Sequence, residues 1–555
     1  MTDRSRRDFI RGAGGAALGL GATATFGRWA SAGVASVFGP QEAAAAGAVD
    51  WAALAARLAG QLVLPPDAAW SSAVELFNTR FATIVPGAVA FCASPQDVAE
   101  SIAFARANAL ELRARNGRHS YAGYSTCDGL VIDVTEMDAI SVSADGSTAT
   151  IGAGAVLIDI YTELATRGVT IPGGTCPSVG ITGLTLGGGH GEVSRAFGMT
   201  CDALLSLEIV LADGRIVTAS EQSEPDLFWA CRGGGGGNFG IVTSMTFATS
   251  PVGDVTLFSY DWAWADAVPA MLAWQEWVAS LPDEVFTGMA LLTQPGGPSA
   301  SPYVGAAGTF LGTPSEWTAI VQPLLDAAPA PTASNVEQKT YLEAADIHAG
   351  CATLTEEECH PTYWNPPGQL VQNTWAATSA YVGASRPLPA EAVQLIVDFV
   401  DERQADPLQP TDASSFGAGG VGFDSYGGAI NRVAPDATAF VHRDALALGQ
   451  YLAYWQPDSP PALVADNEAW LRALTDALAP YSNGQAYQNY IDPGLEGWLE
   501  AYYGANLPRL REIKLAVDPD DVFHFAQSIP PAERPPGPPP PAPPGPVAVT
   551  PAFTG

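Results

Sequence analysis

Basic side chains are scarce in this sequence. The 555 residues include 25 lysines and arginines against 58 aspartates and glutamates, which gives a formal net charge of −33. A nucleic acid and an anionic membrane surface both require a basic footprint on the protein that binds them, so neither is expected as a partner. An acidic excess of this size favours solubility and identifies no partner.

Several motifs of phosphate and metal sites are also missing. No Gly-Lys-Ser/Thr follows a glycine-rich segment, which excludes a Walker P-loop, and the Rossmann fingerprint, which combines a G-x-G-x-x-G turn with a ribose-binding acid downstream, is not met as a whole. No C-x-x-C pair occurs, and the six histidines show no ligand spacing such as H-E-x-x-H. A metal site is therefore not expected, and a metallohydrolase is disfavoured.

Long hydrophobic runs are absent too, and this decides how the N-terminus is interpreted. The segment SRRDFI at residues 5–10 resembles the twin-arginine export signal, and the small residues of QEAAAAGA form a candidate cleavage region. A membrane anchor is the alternative, but only 16 residues separate Arg11 from Arg28, which is too few to span a bilayer comfortably. We expect export to the periplasm or the extracellular space, with no membrane association after cleavage.

The cysteines are few and odd in number, seven in all. An exported protein folds in an oxidising compartment, where Cys351 and Cys359 could close a short local disulfide. An odd total leaves at least one thiol for another purpose. Cys176 stands directly before a glycine-rich loop and could fill the core, form half of a disulfide or act as a tether.

Local patterns predict a mixture of helices and strands. A helix is expected after Ser94, an N-cap followed by Pro95, with Asp97 at the spacing of a capping box. LRAR and GLVIDV are typical of strands, TATIGAGAVLIDIYTELATRG of a strand, a turn and a helix ending near Gly168, and Asp213-Gly214 of a hairpin turn. From about residue 251 the pattern changes to a second α+β region, followed by a compact C-terminal unit and a Pro-rich tail.

Three loops between residues 80 and 250 are rich in glycine: RNGRHSYAG, GGTCPSVGITGLTLGGGHG and CRGGGGGNFGIV. Glycine exposes many backbone N–H groups at low steric cost, and such nests can hold a diphosphate without a lysine. The loops therefore indicate either a dinucleotide bound by a fold other than the Rossmann fold, or tight turns in a β-rich domain.

Two distant segments resemble one family. RNGRHSYAGYST, with Cys176 57 residues after His119, and the C-terminal run from AYQNY to HFAQSI are similar to the berberine bridge enzyme family of FAD-linked oxidases, part of the vanillyl-alcohol oxidase superfamily. The resemblance covers about residues 80–530. It implies an α+β fold in which a two-subdomain PCMH-type FAD-binding domain is joined to a substrate domain, an antiparallel sheet covered by helices, and a C-terminal segment returns to the FAD domain. We expect the FAD-binding domain at 80–253, the substrate domain at 254–480 and the C-terminal segment at 481–530, with a signal and linker at 1–47 and the Pro-rich tail at 531–555 read from composition.

The resemblance also implies covalent FAD. In the family a histidine at the place of His119 bonds to the flavin 8α carbon, and a cysteine at the place of Cys176 bonds to carbon 6. The alternative is a loop histidine and a disulfide cysteine. Arg118 departs from the family pattern, in which a second glycine is usual, and His190 is expected to line the site without a catalytic role. Further cofactor contacts are implied for Arg115, Asn116, Gly117, Arg118, Ser120, Val179, Gly180, Gly183, Gly187, Gly188, Gly189, Gly240, Val242 and, near the flavin ring, Asn506.

Catalysis is expected from tyrosines. Tyr490 is the first candidate for the base, Tyr487 for substrate positioning or assistance, and Tyr426 for sharing the proton. Because tyrosine has a pKa near 10, a nearby cation or hydrogen-bond donor must stabilise the tyrosinate. Val179, three residues after Cys176, stands where valine admits O₂ in the family, which favours an oxidase that forms hydrogen peroxide.

The function predicted from the sequence is an exported FAD-linked oxidase acting on an alcohol or hemiacetal carbon. The first candidate substrate is a sugar or oligosaccharide, which would be oxidised to a lactone. A glycosylated or aromatic secondary metabolite is the alternative substrate. A third hypothesis, from another class, is an exported flavin-fold binding protein without turnover. The expected partners are the small-molecule or oligosaccharide substrate and O₂, and the protein is expected to be a monomer.

Overall fold

The computed structural model describes residues 49–409 and 417–534. The predicted export signal and all but the first four residues of the Pro-rich tail lie outside the described residues. Within these ranges, none of the helices is both long and apolar enough to cross a membrane.

The first sheet has four strands in the order β1-β2-β4-β3, and β2, β4 and β3 run parallel. Its helix α3 begins as predicted, because the Ser94 hydroxyl accepts the Asp97 N–H. The Asp97 carboxylate does not close a capping box but binds the N–H groups of Ala59, Gly60 and Ala93, which fastens strand β1 to the helix. The elements are α1 Trp51–Ala55, β1 Gln61–Val63, α2 Trp70–Ala73, β2 Ala88–Phe91, α3 Pro95–Ala107, β3 Leu112–Arg115 and β4 Leu130–Asp133.

The second sheet is antiparallel, in the order β5-β6-β10-β8-β9, and a two-strand ladder of β7 and β11 lies beside it. The hairpin predicted at Asp213-Gly214 joins β8 and β9. The elements are β5 Ile140–Val142, β6 Thr148–Gly152, α4 Leu157–Ala165, β7 Val169–Thr170, α5 Ile181–Leu186, α6 Ser194–Phe197, β8 Leu204–Val210, β9 Ile216–Ser220, α7 Pro225–Ala230, β10 Ile241–Ala248 and β11 Ser250–Pro251.

The third sheet has seven antiparallel strands in the order β15-β12-β14-β13-β17-β18-β16 and packs its own core against helices α8, α9, α11 and α13. With the first two sheets it confirms the predicted α+β class. The elements are β12 Val255–Trp262, α8 Ala267–Val278, β13 Val285–Leu292, β14 Tyr303–Phe310, α9 Pro314–Ala327, β15 Ala333–Lys339, α10 Tyr341–His348, β16 Thr374–Gly383, α11 Ala390–Ala405, β17 Gly419–Ser425, α12 Gly428–Arg432, β18 Ala445–Trp455 and α13 Pro461–Leu478.

The register of the third sheet gives one face to the functional site. Trp375 pairs with Tyr454, and Gln450 lies four residues before Tyr454 on the same strand. Gln450 pairs with Gly422, two residues before Asp424. Because side chains alternate along a strand, Trp375, Tyr454, Gln450 and Asp424 share one face of the sheet. That face is turned towards the first two sheets.

The C-terminal segment returns to the first part of the chain, as expected. Its helices are α14 Trp498–Tyr503 and α15 Leu507–Val517. Tyr502, Leu510 and Ile529 belong to the same hydrophobic core as Leu157 of α4 and Ile209 of β8. The segment is therefore part of the first core in space, although more than 230 residues separate it from β10 in sequence.

The predicted local disulfide between Cys351 and Cys359 is confirmed. It closes a short loop after α10. The next residue, His360, donates through Nε2 to the Asp159 carboxylate of α4 at 2.9 Å; burial lowers the pKa of His360, but Asp159 and two backbone carbonyl groups outweigh burial and raise it. The loop closed by the disulfide thus connects the third-sheet region to α4 beside the second sheet.

Lys514 is a buried cation that holds the C-terminal segment in place. Its ammonium binds Asp518 at 2.7 Å and the carbonyl groups of Asn238 and Phe523 at 2.8 and 2.7 Å, and both charged side chains are fully buried.

We expect Lys514→Met to destabilise the protein by about 3–5 kcal/mol, because Asp518 keeps a buried charge without its partner. Denaturant titration measures this. The matched control is Lys339→Met, which breaks the part-exposed pair with Glu337 and should cost about 1 kcal/mol or less. Equal effects of the two variants would contradict the assignment.

Candidate functional site

A large cavity lies where the first two sheets, the third sheet and the C-terminal segment meet. It encloses about 2170 Å³ of empty space, part of it open to solvent. The loops of residues 115–120, 174–184 and 236–242 line one part, and the shared face of the third sheet lines the other. The third sheet contributes Phe286, Trp375, Asp424, Gln450 and Tyr454.

Two side chains of the loop at residues 115–120 have a buried polar atom without a hydrogen-bond partner, those of Arg115 and Asn116. The Arg115 Nε atom donates to Asp133 at 2.6 Å and Nη2 donates to the Ala73 carbonyl at 2.6 Å, whereas Nη1 is buried without a hydrogen-bond partner. Asn116 donates to the Ala153 carbonyl, and its Oδ1 is likewise buried and unpaired. A buried polar group without a partner is costly, so these atoms favour a polar ligand at this loop.

Arg118 has a backbone φ of +62°, in the left-handed region that suits glycine. This conformation gives a reason why glycine would fit at the position. The guanidinium donates to the Ser72 and Glu75 carbonyl groups and lies over the Tyr363 ring, 4.8 Å from its centroid. In this structure Arg118 therefore anchors the segment around α2 rather than projecting a charge into the cavity.

Glycines bring the two candidate tether loops into backbone contact. A Cβ added to Gly117 would overlap the Gly180 nitrogen, and one added to Gly180 would overlap the Asn116 side chain. By contrast, a Cβ at Gly183 would meet no atom within 4 Å, and those at Gly236 and Gly237 would meet theirs only beyond 3.6 Å. Gly117 and Gly180 thus permit the two loops to touch, whereas Gly183, Gly236 and Gly237 form an open cradle. A cradle of bare backbone, together with the unpaired Arg115 Nη1 donor, fits the diphosphate of FAD.

His119 and Cys176 line the same cavity. The His119 ring stacks on Phe77 with centroids 3.9 Å apart, and its Nε2 lies 2.8 Å from the Ser178 hydroxyl. Burial lowers the pKa of His119 to about 3 and raises the pKa of the Cys176 thiol to about 11. Cys176 takes no part in the disulfide, so its position at the cavity favours the tether among the roles expected for it.

An aromatic cluster surrounds the predicted base. The Tyr490 hydroxyl lies 3.3 Å from His190 Nε2, and the Tyr490 ring stacks on Tyr121 with centroids 5.3 Å apart. The Tyr487 hydroxyl accepts hydrogen bonds from the Gly189 N–H and the Asn489 amide, both at 2.9 Å. Tyr490 therefore keeps its hydroxyl at the cavity, whereas both acceptor sites of Tyr487 are occupied.

Burial and neighbouring groups raise the pKa of Tyr490 well above its usual value. After burial, the largest contributions come from Asp424, Tyr121, Tyr487 and Tyr426, and none of these is a cation. Of the cation or hydrogen-bond donor expected from the sequence, this set holds no cation, and His190 Nε2 at 3.3 Å is the polar group beside the hydroxyl. A persistent tyrosinate is therefore disfavoured, and Tyr490 needs a partner that takes its proton during the reaction.

Two carboxyl groups that the sequence did not single out line the cavity near Tyr490. Burial, and then Glu192, raises the pKa of Asp424 to about 7. Burial raises the pKa of Glu192 to about 8, although the Thr309 hydroxyl donates to it at 2.9 Å. Glu192 follows the GGGHG run directly, but nothing local in the sequence indicated Asp424, which the register of β17 brings to the cavity.

Five predicted site residues do not line the cavity. The Tyr426 hydroxyl faces that of Tyr381 at 3.4 Å in the core behind it. Asn506, expected near the flavin ring, donates to the carbonyl groups of Pro435, Thr438 and Ala439, and its contact with the ring stays a prediction. Gly187, Gly188 and Gly189 allow close approach by the C-terminal segment and by Phe440.

The remaining predicted residues come together at the cavity, including His190, which lines it as expected and also contacts the Tyr490 hydroxyl. The lining members are Arg115, Asn116, Gly117, Arg118, His119, Ser120, Cys176, Val179, Gly180, Gly183, Gly240, Val242, Tyr487 and Tyr490.

Comparison with known proteins agrees with this geometry. Residues 86–220 match the family model described as FAD binding domain, and residues 486–530 match the one described as berberine and berberine like. The chain is 36% identical over 483 residues to the FAD-linked oxidoreductase YgaK of Bacillus subtilis, covering 86% of this chain and 98% of the relative. It is 31% identical to the xylooligosaccharide oxidase of Thermothelomyces thermophilus, covering 84% of this chain and 91% of that enzyme.

Among solved structures, the glucooligosaccharide oxidase of Acremonium strictum superposes with a TM-score of 0.74 at 27% identity, covering 87% of this chain and 99% of that one. Its FAD is described as 6-S-cysteinyl and 8α-N1-histidyl. The matched domains, the identity to YgaK and the shared fold together establish that this chain belongs to the berberine bridge enzyme-like family of FAD-linked oxidoreductases.

Proposed function

We propose that this protein is an exported, monomeric FAD-dependent oxidase that holds its flavin through His119 and Cys176. It would oxidise a sugar or oligosaccharide at the anomeric carbon to a lactone and reduce O₂ to H₂O₂. One observation carries the proposal: a single cavity brings together both tether candidates, the tyrosine Tyr490 and the carboxyl group of Asp424. When bound, FAD supplies the acceptor for the substrate hydride.

The lining of the cavity offers groups for both parts of FAD. The cradle of Gly183, Gly236 and Gly237, with the unpaired Arg115 Nη1 donor, would receive the diphosphate. His119 and Cys176 would fix the flavin. Two covalent bonds remove the need to bury the cofactor for affinity, which suits an open cleft and a bulky substrate.

The chain must also remove the hydroxyl proton of the substrate. Tyr490 would accept this proton and pass its own to a neighbour, since tyrosinate is disfavoured here. His190 Nε2 is within reach at 3.3 Å, but burial lowers the pKa of His190 to about 4, whereas that of Asp424 is about 7. We assign the proton to Asp424, which lines the same cavity and whose charge acts on Tyr490. His190 then serves to orient the Tyr490 hydroxyl.

The wall of the cavity supports a carbohydrate substrate. Tyr121, Trp375 and Tyr454 offer aromatic surfaces, and the Gln450 amide, which donates to the Tyr121 hydroxyl at 2.9 Å, lies among them. Flat aromatic rings with nearby hydrogen-bonding groups suit a sugar ring, which has apolar faces and a polar rim. The same aromatic surfaces also favour the second candidate, a glycosylated or aromatic secondary metabolite.

Two further parts of the proposal concern oxygen and location. Val179 lines the cavity, and its N–H binds the Cys176 carbonyl at 3.2 Å, so it lies beside the proposed flavin tether. O₂ as the acceptor rests on the valine at this position. Export by the twin-arginine pathway to the periplasm or beyond rests on the SRRDFI motif. The Cys351–Cys359 disulfide, typical of oxidising compartments, supports it.

Peroxide release tests the proposal. Purified protein would be incubated in air with mono- and oligosaccharides and with aromatic alcohols and their glycosides, and H₂O₂ and lactone would be quantified. We expect equal amounts of both from a sugar. Flavin reduction without reoxidation by O₂ would make the protein a dehydrogenase. Reduction only by aromatic alcohols would favour the second candidate, and no reduction by any compound would contradict both.

The carboxyl group of Asp424 should determine the pH dependence. Burial raises the pKa of Asp424 to about 7, so below that pH the group is protonated and cannot take the proton from Tyr490. We expect kcat/KM to rise as the pH passes about 7. Asp424→Asn should remove this rise and lower kcat/KM at pH 8 by roughly 100-fold. Steady-state assays from pH 5 to 9 measure both effects. Asp398→Asn, an exposed position on α11, is the control, and an unchanged profile in the Asp424 variant would exclude the role.

A further inference from the structure

The loop that carries Cys176 also orients His119. Ser178 follows Cys176 by two residues and is only 1% exposed. Its hydroxyl lies 2.8 Å from His119 Nε2, while Phe77 stacks on the imidazole with an interplanar angle of 19°. The stacked ring cannot tilt and the hydrogen bond limits its rotation, so both the plane and the direction of the imidazole are set before any ligand contact.

This contact distinguishes the two ring nitrogens. Nε2 is engaged by Ser178, which leaves Nδ1 as the nitrogen available for a new bond. Burial keeps the imidazole neutral, since the pKa of His119 falls to about 3. A neutral imidazole carries one proton, and with that proton on Nε2, donated to the Ser178 oxygen, the lone pair is on Nδ1.

We propose that Ser178 is a positioning residue for covalent flavin attachment: its hydroxyl holds His119 in the tautomer protonated at Nε2, so that Nδ1 forms the bond to the flavin 8α carbon. This inference rests on the proposed function, from which it takes the His119 tether. It adds the residue that selects the bonding nitrogen, which is the same ring nitrogen as in the 8α-N1-histidyl link of the glucooligosaccharide oxidase.

Formation of the bond between His119 and the flavin is a two-electron oxidation, for which O₂ is the oxidant. The new bond joins Nδ1 to the 8α methyl carbon, which loses one proton, and the imidazole loses the proton on Nε2 along its hydrogen bond to Ser178. Two electrons remain on the cofactor. O₂ takes up these two electrons and two protons and leaves as H₂O₂. The same oxidant serves the proposed catalytic cycle.

A merely structural role for Ser178 makes a different prediction. Its side chain could fill space beside Gly117, where an added Cβ would meet the Ser178 carbonyl oxygen. In that case alanine would lower stability slightly and leave attachment unchanged. Since covalent flavin is read on denatured protein by mass and fluorescence, the two roles can be separated without an activity assay.

The test compares attachment in a background where only histidine can bond. Cys176→Ala, Ser178→Ala/Cys176→Ala and Ser178→Thr/Cys176→Ala would be expressed, and intact mass and in-gel flavin fluorescence followed over time with added FAD. We expect full attachment in Cys176→Ala. Attachment should be roughly 10- to 100-fold slower with alanine at 178 and recover with threonine, because a positioning hydrogen bond is lost and restored.

The single variant Ser178→Ala covers the case in which the double variant does not fold. With Cys176 intact, peptide mapping should find flavin on the Cys176 peptide and little on the His119 peptide. Equal labelling of His119 with serine and alanine at 178, in either background, would overturn the proposal. If Cys176→Ala itself carries no covalent flavin, the His119 tether fails and Ser178 loses its role with it, an outcome distinct from failure of Ser178 alone.

Discussion

Tyr490→Phe is expected to lower the rate of flavin reduction by substrate by about 10² to 10⁴-fold, the range that a general base contributes. The change removes only the hydroxyl group. The ring can keep its stack on Tyr121, 5.3 Å away, so the wall of the cavity and the bound FAD should be preserved. Anaerobic stopped-flow mixing with substrate measures the reduction rate directly, since the flavin loses its yellow absorbance.

Tyr487→Phe is the matched control for this experiment. The Tyr487 hydroxyl accepts from the Gly189 N–H and the Asn489 amide, so its role is to hold the glycine run against the C-terminal segment. We expect a smaller loss of rate, about tenfold, together with a lower melting temperature. A larger rate loss for Tyr487→Phe than for Tyr490→Phe would exchange the two roles. Unchanged rates in both variants would contradict tyrosine-assisted proton removal.

Much of the first part of the fold could be predicted because its signals are local. The start of α3 at Ser94 and the hairpin at Asp213-Gly214 depend on side chains a few residues apart, and both are confirmed. The order of the third sheet could not be predicted, because pairs such as Gly288 with Asp424 join residues 136 positions apart. Asp424 became a candidate only once this register placed it at the cavity.

The predicted site residues that lie outside the cavity lining have a common physical feature. Glycine indicates close approach but does not indicate to what, so Gly187 and Gly188 were expected to contact the cofactor and in fact admit Asn489 and Phe440. Asn506 likewise has an amide that needs partners, and carbonyl groups of residues 435–439 supply them. In each case the partner lies far away in sequence, in a segment whose position only the tertiary structure gives.

The double variant His119→Ala/Cys176→Ala is expected to lose covalent flavin completely, whereas each single variant should retain it. The two side chains come from different loops, which meet at Gly117 and Gly180. Each bond therefore needs only its own loop and the cradle to be in place. Precipitation with acid, followed by absorbance of the washed pellet, measures the retained flavin. Cys231→Ala, a buried thiol outside the cavity lining, is the control and should behave as the unaltered protein does.

Each possible outcome assigns the tethers differently. Loss of flavin in one single variant alone would mean that the other residue forms no bond, and the second residue would return to the role of a loop histidine or a structural thiol. Retention in the double variant would place the bond on another side chain of the cavity. If the native double variant still binds FAD reversibly, the cradle of Gly183, Gly236 and Gly237 with Arg115 and Asn116 is sufficient for recognition. The covalent bonds would then act on retention and reduction potential, and the two contributions could be measured separately in one set of variants.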